Sequence, residues 1–239
     1  MKNLLKFSAI ALALVASATY ASADSIQLGS YGTGSPSLGN NNSAVNYGGA
    51  ILQPLPPYPA NPSGFISSGT GSTFDIGTGG GIWSGPLTNS SWVSENAGSF
   101  PGGGFVAPNG YYTYTTTFSA VGGAYAGSFS ILADDTVAAY LNGSTTPFIL
   151  AGAIGGDSHC ADNVPNCLTT LTISPWDATL NAGMNTLTFV VEQTGLVAEG
   201  LDFSGALQQE APTPEPSSLI LLGTGLIGAA GALFRRRRA

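Results

Sequence analysis

From Thr73 to Glu210, apolar side chains recur in short runs rich in Tyr, Thr, Phe, Val and Ile, bounded by Gly, Asn and Pro. That is the pattern of strands and turns. The clearest runs are Tyr111 to Ser119, Gly127 to Ala133, Thr136 to Leu141, Pro147 to Ala151, Leu168 to Ile173, Asn185 to Glu192 and Leu201 to Gln208. In one, Leu187, Phe189 and Val191 face one way and Thr186 and Thr188 the other; in another, Leu201, Phe203 and Leu207 oppose Asp202 and Ser204. Alternation of period two gives each strand one buried and one wet face. No helical period of useful length interrupts this region, and so many strands in one stretch are enough for two packed antiparallel sheets. The predicted fold is all-β, an antiparallel β-sandwich of jelly-roll topology over residues 73–209. Residues 24–72 are dominated by Gly, Ser, Asn and Pro, including Pro54 to Pro62, and hold too little apolar bulk for a core of their own. Tyr31, Val45, Tyr47, Ile51, Leu52, Phe65 and Ile66 can supply one or two irregular strands against the main domain.

Both ends of the chain break this pattern with continuous apolar runs. Lys2 and Lys6 precede the run from Phe7 to Tyr20, which closes on Ala21-Ser22-Ala23 before Asp24. A basic start, a short apolar stretch and small side chains at Ala21 and Ala23 describe a signal peptide over residues 1–23, cleaved after Ala23. The second run, Leu219 to Phe234, follows Pro214-Glu215-Pro216-Ser217-Ser218 and ends at Arg235, Arg236, Arg237 and Arg238. Sixteen helical residues reach ~24 Å, short of a ~30 Å hydrocarbon core but sufficient with snorkelling flanks, so residues 219–234 are expected to form a single transmembrane helix. The arginines act as a cytoplasmic stop signal, with the preceding residues outside. Gly223, Gly225 and Gly228 spell GxGxxG, but no strand precedes them, so a nucleotide loop is not implied. Small residues there suit close helix packing.

The order Pro-Glu-Pro, glycine-containing apolar stretch and arginine cluster, over about the last twenty-five residues, closely resembles the PEP-CTERM sorting signal. The resemblance implies that residues 210–239 hold the exported chain in the inner membrane until an exosortase, a membrane-associated cysteine transpeptidase, recognises Pro214, Glu215 and Pro216 and cleaves nearby. It also implies delivery to the cell surface or the extracellular polysaccharide matrix. The same tail pattern carries a second family label, the C-terminal domain of an ice-binding protein, which by itself implies no activity. An ordinary single-pass anchor that is never processed is the alternative reading of these residues.

Charge narrows the partners. The six basic side chains are Lys2, Lys6 and Arg235 to Arg238, and of thirteen acidic residues only Glu215 lies beyond Pro214, so the processed chain carries about −12 with His159 neutral. Nucleic acid is excluded as a partner because no cation is present to displace phosphate counterions. Anionic substrates and phosphate cofactors are disfavoured for the same reason, and no cofactor is expected. Neutral exopolysaccharide is the compatible polymer, with acidic glycans needing a divalent bridge.

Ala133-Asp134-Asp135-Thr136, followed by Val137 to Leu141 and Asn142-Gly143, and later Leu180 to Phe189, resemble the core of galactose-binding-like domains. In that superfamily the Asp pair opens a strand that ends in an Asn-Gly turn, and a Gly-x-Asn turn leads into a central strand. The resemblance implies a β-sandwich that often binds glycans, with binding residues in variable loops that do not transfer. The residues agree at the turn, since Asn142-Gly143 can adopt positive φ.

No catalytic constellation is visible. Glu95, Glu192, Glu199, Asp134 and Asp135 are carboxylates without a motif to pair them, and the Asp pair reads as turn and strand-edge residues that accept backbone N–H groups. His159 is the single histidine and sits in a loop without a triad frame. Cys160 and Cys167 are the only cysteines, and in an exported chain a local disulfide is favoured over an incomplete zinc site. The loop they close carries Asp162, Asn163 and Asn166 next to Asp157. Asp157 and Asp162 are weak calcium candidates, in a spacing that fits no EF-hand. Among Trp83, Trp92 and Trp176, Trp92 reads as a strand position and Trp176 as a loop aromatic able to stack on a sugar ring. Two classes of function remain: a non-catalytic glycan-binding surface protein, and a purely structural surface protein without a small ligand. A glycoside hydrolase is a distant third.

Overall fold

A computed structural model describes residues 23–31, 37–52, 71–77, 82–154, 160–210 and 216–237. The expected signal peptide, apart from Ala23, lies outside the described residues, as do Asp157, His159, Pro214, Glu215 and Arg238. Asp24 to Gln209 form one compact unit. Its strands are β1 (Ser25–Gly29), β2 (Asn41–Leu52), β3 (Gly71–Gly77), β4 (Trp92–Ser94), β5 (Gly110–Ala120), β6 (Gly123–Asp134), β7 (Thr136–Leu141), β8 (Leu171–Leu180), β9 (Gly183–Gln193) and β10 (Gly200–Gln209). All pair antiparallel in the order β7-β9-β5-β2-β3-β4-β10-β6-β8, with β1 on β10. The all-β antiparallel expectation is thus met by one curled sheet. β1 and β2 arise in the Gly/Ser/Asn/Pro-rich segment, and β2 lies centrally between β5 and β3.

The curl follows from the core. β9 and β10 are not neighbours, yet Phe189 and Phe203 stack at 4.5 Å, with Phe129 of β6 stacked at 5.8 Å from Phe203. Alternating apolar residues on the two ends of the sheet face each other and close the layers, as the period-two pattern requires. β6 runs through Asp134 and Asp135 straight into β7, so the chain crosses here from one end of the sheet to the other. A smaller apolar cluster of Ile76, Trp83, Trp92, Leu132, Cys167 and Ala198 caps one end.

Two expected strands differ. Pro147 to Ala151 make only an isolated bridge, Ala139 to Ile149, with Phe148 N–H donating to the Ala139 carbonyl at 2.9 Å. The expected strand from Leu168 starts instead at Leu171, because Asn166 Oδ1 captures the amides of Leu168 (3.0 Å) and Thr169 (2.7 Å), and it then continues to Leu180. The Asn142-Gly143 turn forms as expected, with φ of 52° and 69°. Asn142 donates to Asn185 Oδ1 at 2.8 Å, locking the turn to the start of β9.

The C-terminal helix, α1 (Pro216–Arg237), contains the expected span 219–234 and presents Arg235 and Arg236 to solvent. Among the described residues no helix is long and apolar enough to cross a membrane.

Candidate functional site

A cleft of about 440 Å³ opens where the small apolar cluster meets the surface. One wall is the Phe100-Pro101-Gly102-Gly103-Gly104-Phe105-Val106 loop, the other Leu196 to Ala198, and Trp83, Asp134 and the cystine line the rest. The glycines make the first wall possible: a Cβ on Gly103 would run into the backbone carbonyls of Gly98 and Phe100. Phe100 and Phe105 are partly exposed in it, and Ile82, Val106 and Leu196 stand exposed among its lining residues. Leu196 is held at φ 54°, its N–H donating to Asn109 Oδ1 at 2.9 Å. The left-handed region costs a non-glycine residue about 1–2 kcal/mol, so the rim is strained where it carries an exposed side chain.

Asp134 is the polar group of the cleft. It ends β6, is 4 % exposed, and accepts the Trp83 indole N–H through Oδ2 at 2.7 Å. Oδ1 is buried on the other side of the carboxyl. Burial, and then the Asp135 carboxyl that hydrogen-bonds and repels it, hold Asp134 well above the carboxylate range, against the Trp83 bond. Asp135 is fully buried and accepts the Thr194 N–H and hydroxyl, both at 2.6 Å. The expectation that the Asp pair accepts backbone amides therefore holds for Asp135. Asp134 ends β6 and Asp135 is the bend between β6 and β7, both buried there. Glu192, opposite Thr136 on β9, is pushed up to about 7 by burial and by Asp135.

Other predicted residues land elsewhere. Cys160 and Cys167 are bonded to each other, 5.4 Å apart at Cα. With Asp134 they group within 4.8 Å, but thiols joined in a cystine cannot ligate a metal. Asp162 is exposed and makes a backbone bond to Ala153, while Asn166 spends both side-chain atoms on its own loop, Nδ2 on the Ala161 carbonyl at 2.8 Å. Trp176 corrects the sequence reading. It lies within β8, 4 % exposed, stacked on Phe148 at 4.9 Å and edge-on to Phe129 at 5.0 Å, and offers no face to a sugar. The aromatic wall that the structure does present, Phe100 and Phe105, was hidden in a glycine-rich loop; the FPGGGF flanks were the only signal.

Residues 212–238 match the PEP-CTERM protein-sorting motif. The C-terminus therefore carries that motif, which implies processing by an exosortase and export with membrane-anchored sorting to the cell surface. Among curated proteins none is significantly similar to the chain. Among solved structures, it is similar to the family 35 carbohydrate-binding module from Clostridium thermocellum, at 17 % identity over 50 % of this chain and 78 % of that one, TM-score 0.27. It is also similar to the PA14 domain of the antifreeze protein MpAFP, at 14 % identity over 82 % and 85 %, TM-score 0.29. A third is the GH26-CBM35 β-(1,4)-mannanase of Podospora anserina, at 18 % identity over 60 % of this chain, TM-score 0.33. The chain spans about a quarter of the mannanase, 26 % of its length. The chain thus carries a PEP-CTERM sorting motif at its C-terminus, and the solved structures it is similar to include family 35 carbohydrate-binding modules.

Proposed function

We propose that this is a non-catalytic surface protein that binds neutral glycans in the cleft between Phe100–Val106 and Leu196–Ala198. The observation that carries the reading is the buried Asp134 carboxyl, the single carboxyl among the described residues that line an otherwise apolar, aromatic-walled cleft. A sugar ring supplies both complements: a C–H face for Phe100 or Phe105 and hydroxyl donors for the carboxyl. A cleft of about 440 Å³ suits one or two such rings. Asp134 is the only carboxyl among the described lining residues, so the acid and base pair of a glycoside hydrolase is lacking there. The absence of Lys and Arg between Lys6 and Arg235 disfavours acidic polymers, which would need a divalent bridge. In this reading the chain starts at Asp24 after export, passes through the inner membrane stage, and meets exopolysaccharide at the surface.

The burial of all three tryptophans favours the second reading, a structural surface protein without a small ligand. Affinity electrophoresis separates the two, using neutral and uronic-acid polysaccharides with and without calcium. Retardation on a neutral polymer, weakened roughly tenfold or more by Phe105→Ala and by Asp134→Asn in variants that keep the native circular dichroism, is the expected result. Retention on no polymer assigns the protein to the structural class. Strong calcium-independent retention on the acidic polymer contradicts the charge argument.

A further inference from the structure

Behind the cleft lies a second carboxyl group cluster that the glycan reading does not use. Glu95 directly follows β4 and is partly buried; Glu199 directly precedes β10 and is 0 % exposed. Ser94 Oγ lies 2.6 Å from Glu95 Oε2 and 2.9 Å from Glu199 Oε2. Tyr114 Oη lies 2.8 and 2.7 Å from the two Glu199 oxygens and 3.2 Å from Glu95 Oε2, while accepting the Glu95 N–H at 3.3 Å. Each hydroxyl carries one hydrogen. Two hydrogens thus face five oxygen pairs. Were both carboxyls ionised, hydroxyl and carboxylate oxygens would confront each other with nothing between them.

The surroundings offer no charge to relieve this. Tyr47 of β2 and Tyr112 of β5 face the pair, Asp134 of β6 pairs with Gly200 of β10, and Asp202 follows on β10. No lysine or arginine occurs between Lys6 and Arg235. A buried carboxylate without a cation takes up a proton instead.

We propose that the buried Glu199 carboxyl keeps its proton at neutral pH in the cluster with Glu95, Ser94 and Tyr114, and that this proton clasps the two walls of the cleft together. The connectivity gives the clasp its leverage. Glu95 leads into the Phe100–Val106 wall, and Glu199 immediately follows the Leu196–Ala198 wall. Ser99 ties the same walls a second time, donating to the Glu199 carbonyl at 2.8 Å and accepting its N–H at 3.0 Å. Loss of the proton sets two carboxylates against each other in a site with little water. Glu95, the less buried, is the one that can turn to solvent, and it would draw residues 96–105 with it.

Burial first, and then the Glu95 carboxylate, raise Glu199 well above its ordinary value of 4.5. For an acid raised on folding, the stabilisation is complete below the unfolded value and is lost as pH climbs through the folded one. The walls therefore hold in acid and loosen in alkali. Hydrogen exchange on the full chain at pH 6 and pH 9, corrected for the intrinsic rate, tests this without any glycan, so its outcome is separable from that of the binding reading.

Amides of residues 96–105 and 196–199 are expected to lose protection roughly tenfold or more at pH 9 relative to those of β9. Glu199→Gln and Glu95→Gln, whose amides supply the missing hydrogens, are expected to abolish that step. Should Glu199→Gln fail to fold, Glu95→Gln at the more exposed partner gives the same readout. Equal corrected protection at both pH values, or a wild-type step retained in Glu95→Gln, overturns the proposal.

Discussion

Trp176→Ala is expected to cost folding stability and to leave glycan retention intact in the protein that remains folded. The indole is 4 % exposed and wedged between Phe148, stacked at 4.9 Å, and Phe129, edge-on at 5.0 Å. Truncating a buried tryptophan removes its transfer energy and leaves a cavity, about 3–5 kcal/mol together. Each lost aromatic pair is worth about 0.5–1.5 kcal/mol and is partly included in that figure. Against a total of about 5–15 kcal/mol for an ordinary domain this is a large fraction. For a domain of this size it corresponds to a fall in melting temperature of roughly 10–15 °C. Trp176→Phe keeps a ring in the wedge and should recover about half the loss. Urea titration followed by the fluorescence of Trp83 and Trp92, which share the smaller cluster, gives the midpoint shift. A Trp176→Ala protein with an unchanged midpoint and lost glycan retention would refute the reasoning, because the indole would then be at the surface.

Two further outcomes are expected. Reducing the Cys160–Cys167 bridge, whose residues are seven apart in sequence, should cost about 2–3 kcal/mol by the loop-entropy estimate, read by calorimetry with and without reductant. Global unfolding would mean that the bridge supports the fold and not one loop. Protein released at the surface should have an intact mass that starts at Asp24 and ends near Pro214-Glu215-Pro216, whereas a mass that retains Arg235 to Arg238 would indicate a permanent anchor.

The sequence by itself determined the features that depend on local periodicity and order. β7 from Thr136 to Leu141, β9 and β10 were legible because their runs of Val, Phe, Thr, Tyr and Leu are bounded by turn residues, although the expected wet face is absent there, with Thr188 and Asp202 buried as well. The Asn142-Gly143 turn was legible because few residue pairs tolerate two positive φ angles. The sorting tail was legible because its order is its signal. Tertiary structure decided what depends on partners distant in sequence. β2 reads as a polar, glycine-rich segment, yet it becomes central because β3 and β5 satisfy its backbone. Pro175 made Trp176 look like a loop residue, although Trp176, Ala178 and Leu180 alternate inward with Asp177 and Thr179 outside, and the layer holding Phe129 and Phe148 buries the indole. The five carboxylates carried no pairing motif. Only the curl of the sheet divides them into Asp134 and Asp135 with Glu192 in one place and Glu95 with Glu199 in another. That division arises because residues more than a hundred positions apart, such as Ser94 and Glu199, are brought within hydrogen-bonding distance by strand pairing, which no local pattern encodes.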